Sequence, residues 1–409
     1  MRRMSIPDVV RRVLVVALLA AAAACGGGES GSAPGGDGTP PPLGAPISRT
    51  EGTAIAGATG WTWIPFDDAF CTDAVRQPSG AYQFGTSTTG LALSWGSPAS
   101  TELVVFLQGG GACWDFFTCG GAPDLVPKTA SSGPFGPEEF ARDIYEKYPR
   151  SWVRRENLPD ALRDATIAFV PYCTGDVHSG DAVATYASPL AGRPSITWQH
   201  VGHANVLAFL KRLGATFPAA TRLVVSGSSA GGFGSLSNYP AVRRYWPDAK
   251  GYLIDDSGPP LAGDAIPASS REAWYARWGM GASLDGFCPE CRADLSQGLR
   301  EIAERYPDDR LALLSHLQDL TIRGFFGTFT LVPTPALTPM PADRFEAGLR
   351  SLGATVMDPA TANARYFFTA GEQHPTLEDP TVVTTPPPGL EPWLELMLSD
   401  SASWESETD

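Results

Sequence analysis

From residue 103 onward the chain is paced by short, unbroken apolar runs, each closed by glycine or a polar cluster. Residues 103–107, 166–171, 221–225, 251–254, 311–314 and 366–369 have the length of strands and no polar alternation, which is the pattern of strands buried on both faces. Segment 200–213 carries Val201, Val206, Phe209, Leu210 and Leu213 at helical spacing and predicts the helix that feeds the strand at 221–225. Upstream, the runs at 61–66 and 91–95 are broken by Gly, Ser, Thr and Pro, and predict antiparallel strands at the edge of a sheet. Buried strands alternating with helices indicate an α/β fold, a doubly wound and mostly parallel sheet with helices on both faces. Ligands of such sheets sit beyond the carboxyl ends of the strands. The polar clusters of this chain fall at those ends.

Gly227-Ser228-Ser229-Ala230-Gly231-Gly232 follows the strand at 221–225 and opens a helix, which is the setting of a G-x-S-x-G nucleophile elbow. Gly227 and Gly231 let the strand and helix backbones close on each other, so that the Ser229 hydroxyl is held out at the sheet's edge. A helix that merely starts with small residues is the structural alternative. The strand at 103–107 ends in Gln108-Gly109-Gly110-Gly111-Ala112, where the glycines free main-chain N–H groups to face a ligand. With Ala230, the amides of Gly110, Gly111 and Ala112 are the oxyanion-hole candidates; a plain tight turn is the alternative.

A serine nucleophile needs a base and an acid that orients it, in the chain order Ser, Asp or Glu, His. Of five histidines only His316 and His374 follow Ser229. His316 leaves no room for an acid between itself and the strand before it, so His374 is the candidate base. Asp319, after the strand at 311–314, is the candidate acid. Asp255 and Asp256, after the strand at 251–254, are its rivals, unless they only cap their loop. Asp176 and His178 look like a metal pair, yet two ligands on one loop read better as a rim facing substrate or water. His200 and His203 read as structural. No metal and no cofactor is expected.

A net charge of -14 with 30 Lys and Arg excludes a nucleic-acid surface and basic docking on anionic lipid. At the amino end, Arg2, Arg3, Arg11 and Arg12 precede an apolar run at 13–24 that is too short to span a bilayer, so residues 1–24 read as a signal peptide. Ala22-Ala23-Ala24-Cys25-Gly26 resembles a bacterial lipobox, which implies lipid on Cys25; cleavage near Ala24 without lipid is the alternative, because Ala22 stands where a branched residue is usual. Residues 25–46 then form the lipidated Cys and a Gly/Pro/Ser-rich tether, and 47–409 a single catalytic domain. The expected product is a monomeric cell-envelope lipoprotein, or else a secreted protein, touching the membrane only through its anchor. Setting Cys25 aside leaves Cys71, Cys113, Cys119, Cys173, Cys288 and Cys291, an even number that favours disulfides in an exported chain. The close pairs Cys113/Cys119 and Cys288/Cys291 suggest local bridges and leave Cys71 with Cys173, one of fifteen connectivities. A four-thiolate zinc site is the rival.

Three motifs in order, Leu107-Gln108-Gly109-Gly110-Gly111-Ala112-Cys113, Pro171-Tyr172-Cys173-Thr174-Gly175-Asp176-Val177-His178-Ser179-Gly180 and the elbow, carry a resemblance. Across roughly residues 60–380 the chain resembles the pectin acetylesterase/Notum-like family of α/β-hydrolases. The resemblance implies an esterase whose acid lies in a short loop, matching Leu317-Gln318-Asp319, and whose base closes the last strand loop, matching His374. It also implies removal of acetyl or another short O-acyl group from a polysaccharide or glycan. Two departures, Ala112 in place of a tryptophan and Ala370-Gly371-Glu372-Gln373 in place of a cysteine-containing lead-in, touch the acyl pocket and its rim. A carboxylesterase for lipid-like esters and a non-catalytic surface binding protein are the competing functions.

Overall fold

Each unbroken apolar run becomes a strand with its neighbours hydrogen-bonded on both sides. In the computed structural model, which describes residues 41–330, 336–358, 363–379 and 389–409, the strands are β1 (Thr53–Ala54), β2 (Thr62–Arg76), β3 (Tyr82–Ser94), β4 (Glu102–Leu107), β5 (Thr166–Val170), β6 (Ala182–Tyr186), β7 (Ile196–His200), β8 (Arg222–Ser228), β9 (Lys250–Asp256), β10 (Arg310–His316), β11 (Thr328–Thr330), β12 (Ala336–Thr338), β13 (Ala364–Thr369) and β14 (Glu407–Thr408). Among the described residues ten of these make one sheet in the order β1-β2-β3-β5-β4-β8-β9-β10-β13-β14. From β5 to β14 every pairing is parallel, whereas β1, β2 and β3 add an antiparallel edge. The edge expected from 61–95 is therefore present, with longer strands than the apolar runs suggest. Beyond an irregularity between Pro65 and Phe70, β2 and β3 continue as a ribbon paired to itself.

The parallel strands are apolar throughout because alternate side chains enter two different cores. Leu103, Val105, Leu107, Leu223, Val225, Leu253, Leu311 and Leu313 pack on one face. That face is covered by α1 (Gly202–Thr216), α2 (Ala230–Tyr245), α3 (Ala268–Trp278) and α4 (Gln297–Arg305), followed by α5 (Leu320–Phe325) and α6 (Ala342–Leu352). Val104, Phe106, Val224, Tyr252, Ile254, Ala312 and Leu314 pack on the other, with Phe140, Trp152 and the Trp393, Leu394 and Met397 side chains of α7 (Leu390–Leu398). Each such aliphatic side chain, fully buried, contributes about 1.5–3 kcal/mol. A polar residue on either face would lose that and add a desolvation cost.

One expectation is corrected and another is met. His200 ends β7 and does not open the helix; α1 starts at Gly202, whose N–H is accepted by Asp176 Oδ2 at 2.7 Å. The six cysteines form Cys71–Cys173, Cys113–Cys119 and Cys288–Cys291 disulfides, the pairing suggested by spacing, and leave no thiolates for zinc. Cys25 and most of the proposed tether lie outside the described residues. The end of that segment is held on α1, where Gly44 N–H donates to Lys211 O at 2.9 Å and Ile47 N–H to Thr216 Oγ1 at 2.7 Å. Among the described residues no helix is long and apolar enough to cross a membrane.

Candidate active site

Ser229 occupies the sharp corner between β8 and α2 with φ 61° and ψ -120°, a conformation that costs a non-glycine residue of order 1–3 kcal/mol. Its surroundings enforce that conformation. The Ser229 N–H donates to Asp256 O at 2.7 Å, which ties the corner to the end of β9. A Cβ on Gly227 would lie 2.3 Å from Gly231 O, and one on Gly231 would lie 2.0 Å from Leu107 O. Both glycines are thus required by the close approach of β8, α2 and β4, as the elbow reading anticipates.

Beside it runs the glycine loop after β4. A Cβ on Gly109 would meet Ser228 O at 2.7 Å, and Gly111 has φ 74°. The Gly110 carbonyl accepts from Ser131 N–H at 2.7 Å, and the Gly111 carbonyl accepts from Tyr172 Oη at 2.8 Å. Tyr172 Oη in turn accepts from Val177 N–H at 2.7 Å. Because a trans peptide points its C=O and the next N–H in opposite directions, these bonds fix the amides of Gly111 and Ala112 away from Ser131 and Tyr172. Gly109, Gly110 and Gly111 line one cavity with Ser229, and Gly111, Ala112 and Ala230 line a second recess with it.

Asp319 and His374 meet from two different strand ends. Asp319 caps α5, accepting Ile322 N–H on Oδ1 at 2.9 Å, and accepts His374 Nδ1–H on Oδ2 at 2.7 Å. It is fully buried, while the His374 side chain is 13% exposed and lines the cavity that contains Ser229. The imidazole is therefore held as the tautomer whose Nε2 lone pair is free. His316 is fully buried with Nε2 3.1 Å from Asp379 Oδ2, so it anchors the far end of the loop that carries His374.

The remaining sequence candidates take structural positions. Asp256 is buried and receives Ser228 Oγ on Oδ2 at 2.7 Å and Thr376 N–H on Oδ1 at 2.9 Å; Asp255 receives Gly258 N–H at 2.9 Å. Burial first, and the neighbouring Asp256 second, push the Asp255 carboxyl well above the ordinary range. Asp176 and His178 are buried, which overturns their reading as a rim. Asp176 accepts from Thr174 Oγ1 at 2.6 Å and from the first amide of α1, and burial pushes it up to about 6. His178 Nε2–H donates to Gln108 O at 2.8 Å, and burial pushes the imidazole down to about 4. His200 is held between Thr174 O at 2.9 Å and Tyr186 Oη at 2.8 Å, and His203 donates to Asn238 Oδ1 at 2.6 Å.

The cavity has a volume of about 840 Å³, and its lining includes the charged Lys128, Arg142, Lys147 and Glu378. Burial brings the Lys128 ammonium down to about 8. Burial and then the charge of Asp256 bring Glu378 up to about 7, against the opposing pull of His374 and Lys147. The second recess is apolar and holds only about 50 Å³. It is closed by Trp114, Phe233, Trp274, Trp278 and Phe326, with the Trp274 and Trp278 rings stacked 5.7 Å apart at 7°. Sequence reasoning missed Trp274, Trp278 and Glu378. The i, i+4 tryptophans of α3 were a visible signal for one shared helix face.

The pectinacetylesterase family model matches residues 79–266, a stretch that contains the glycine loop, Ser229, Asp255 and Asp256 but neither Asp319 nor His374. Palmitoleoyl-protein carboxylesterase notum1 of Xenopus laevis is 30% identical over 183 residues, 44% of this chain and 32% of that protein. Palmitoleoyl-protein carboxylesterase NOTUM of Homo sapiens is 26% identical over 172 residues, 39% of this chain and 32% of that protein. The chain thus spans about a third of the length of these curated relatives. The solved structure of the Wnt deacylase Notum from Drosophila aligns over 84% of this chain and 94% of its own, at 18% identity and a TM-score of 0.48. Over the stretch that holds its glycine loop and serine elbow, the chain matches the pectin acetylesterase/Notum-like family.

Proposed function

We propose that the chain is an exported serine esterase that removes acetyl or another short O-acyl group from a polysaccharide or glycan. The observation that carries this reading is the Asp319–His374 hydrogen bond at 2.7 Å opening on the cavity that also exposes the strained Ser229. Ser229 Oγ attacks the ester carbonyl while His374 Nε2, the nitrogen not engaged by Asp319, takes its proton. Asp319 holds the ring and stabilises the imidazolium. The amides of Gly111, Ala112 and Ala230, with Gly110 shaping the loop, receive the negative charge on the carbonyl oxygen. His374 returns the proton to the leaving sugar oxygen. Water, deprotonated by His374, then hydrolyses the acyl-enzyme and regenerates Ser229. Every step is carried by side chains and main-chain amides of this chain.

The dimensions of the two spaces support a division of labour. The narrow recess of about 50 Å³ beside Ser229 suits a short acyl group. The cavity of about 840 Å³ has the charged Lys128, Arg142, Lys147 and Glu378 in its lining and room for several sugar rings. The relatives are named for a palmitoleoyl group, and the narrowness of this recess favours a shorter acyl group over the lipid-like alternative. Three disulfides fit folding in an oxidising compartment, and lipid on Cys25 completes the reading as a monomeric envelope lipoprotein. Fractionation checks the anchor: Cys25→Ser should move the protein out of the membrane fraction. Turnover of p-nitrophenyl acetate that vanishes in Ser229→Ala is the result expected of the enzyme. Absence of turnover with any short acyl ester would favour a binding protein.

A further inference from the structure

We propose that Asp256 is the positioning residue that fixes nucleophile and base relative to each other, an inference that rests on the esterase reading. Ser229 and His374 arrive on separate elements, the β8–α2 corner and the loop after β13. The Asp319–His374 bond sets the tilt of the imidazole. Among the described residues, however, the hydrogen bonds of the Asp319 side chain go only to Ile322 and His374, and none reaches the serine corner. Asp256 touches both elements. In the parallel pairing of β8 with β9 it lies opposite Ser228. Its main-chain oxygen takes the Ser229 N–H at 2.7 Å, and its Oδ2 takes Ser228 Oγ–H at 2.7 Å. On the other side, Oδ1 takes Thr376 N–H at 2.9 Å and Oδ2 takes Leu377 N–H at 3.3 Å, two and three residues beyond His374. Ser257 extends the clamp, donating to Asp256 Oδ1 at 3.0 Å and meeting Thr376 Oγ1 at 3.1 Å.

This residue type suits the task. Both amides on the histidine loop are obligate donors, and they reach different oxygens of one carboxylate, which only Asp or Glu can offer with two acceptor atoms and no competing donor. Burial removes the competition of water for those oxygens. Neither Asp256 oxygen lines the cavity, so the residue acts through Ser229 and His374 and not on the substrate. Losing the clamp leaves the Asp319–His374 pair intact but lets the loop drift with respect to Ser229. A displacement near 1 Å in such a pair lowers the rate about a hundredfold.

The test is the steady-state kinetics of the full chain on p-nitrophenyl acetate. Asp256→Ala should lower kcat about a hundredfold with KM within twofold of wild type. Asp256→Asn, which keeps one acceptor, should lower kcat about tenfold, and it decides the question if the alanine variant does not fold. Placed in a His374→Ala background, either substitution should cause no further loss, because the pair it aligns is already broken. Tyr239→Phe controls for stability alone: it removes a buried hydrogen bond to Asp309 near the other end of α2, and should lower Tm while keeping kcat. Wild-type kcat in Asp256→Asn, or an equal loss with and without His374, overturns the positioning role. Wild-type turnover that survives Ser229→Ala overturns the esterase reading itself, and the positioning role with it.

Discussion

Replacing Asp319 by Asn changes one atom of the side chain and should abolish most of the rate. In the native site Oδ1 accepts Ile322 N–H at 2.9 Å and Oδ2 accepts His374 Nδ1–H at 2.7 Å. The amide can keep only one of these acceptors. With its oxygen on Ile322, its NH2 faces Nδ1, and the imidazole responds by shifting its proton to Nε2. The nitrogen that must receive the Ser229 proton is then occupied. The expected loss is about 10⁴-fold in kcat, or about 5.5 kcal/mol of barrier, with KM nearly unchanged. The fold should hold, since one buried hydrogen bond is exchanged for another at a cost of roughly 1 kcal/mol. Asp255→Asn is the matched control. Among the described residues its Oδ2 has no hydrogen-bond partner, and burial favours its neutral acid, of which Asn is a close copy, so kcat should stay within about tenfold. Initial rates on p-nitrophenyl acetate at pH 7, with Tm recorded for each variant, decide it. Near wild-type kcat in Asp319→Asn alongside a collapse in Asp255→Asn would refute the assignment of the acid.

Three further outcomes follow from the same geometry. Trp274→Ala should deepen the apolar recess and raise activity on butyrate relative to acetate esters, by up to about fourfold for each methylene that finds room at about 0.8 kcal/mol; an unchanged acyl preference would remove α3 from the acyl site. Glu378 sits at about 7 in the fold against an ordinary 4.5, so the native state holds its proton more tightly and loses stability as pH rises from about 4.5 through 7. At about 1.4 kcal/mol per pH unit the difference is about 3.5 kcal/mol, and Glu378→Gln should raise Tm at pH 8 while leaving it unchanged at pH 4; equal Tm shifts at both values would contradict this. The Cys71–Cys173 bridge closes a separation of 102 residues and the Cys288–Cys291 bridge one of 3, so replacing the first pair by Ser should lower thermal stability by up to about 4–5 kcal/mol and the second by far less.

What could be read from the sequence was local. Unbroken apolar runs such as 103–107 signal strands buried on both faces, because each neighbour along the strand enters a different core. Gly227 and Gly231 signal the elbow because the backbone approach that excludes a Cβ is made by the same short segment. Cysteine spacing separated local bridges from the long one. Contacts made by strand register or helix packing left no such trace. Asp256 joins two distant segments only because β8 and β9 pair with Ser228 opposite it. The tryptophans of α3 close a recess whose other walls come from α2, α5 and the glycine loop. The loop of Asp176 and His178 is polar in sequence and reads as a rim, whereas their burial is stabilised by Thr174, Gln108 and the first turn of α1. The terminal pieces, α7 and β14, have meaning only once the sheet offers an open face and an edge.

Ser229 is the group expected to become acylated. Incubation with a fluorophosphonate followed by intact-mass and peptide mapping should give one adduct per chain, on Ser229, formed at least about a hundredfold more slowly in His374→Ala and in Asp319→Asn. A wild-type protein that turns over p-nitrophenyl acetate yet carries the adduct on another residue, or labels equally fast without His374, would contradict it.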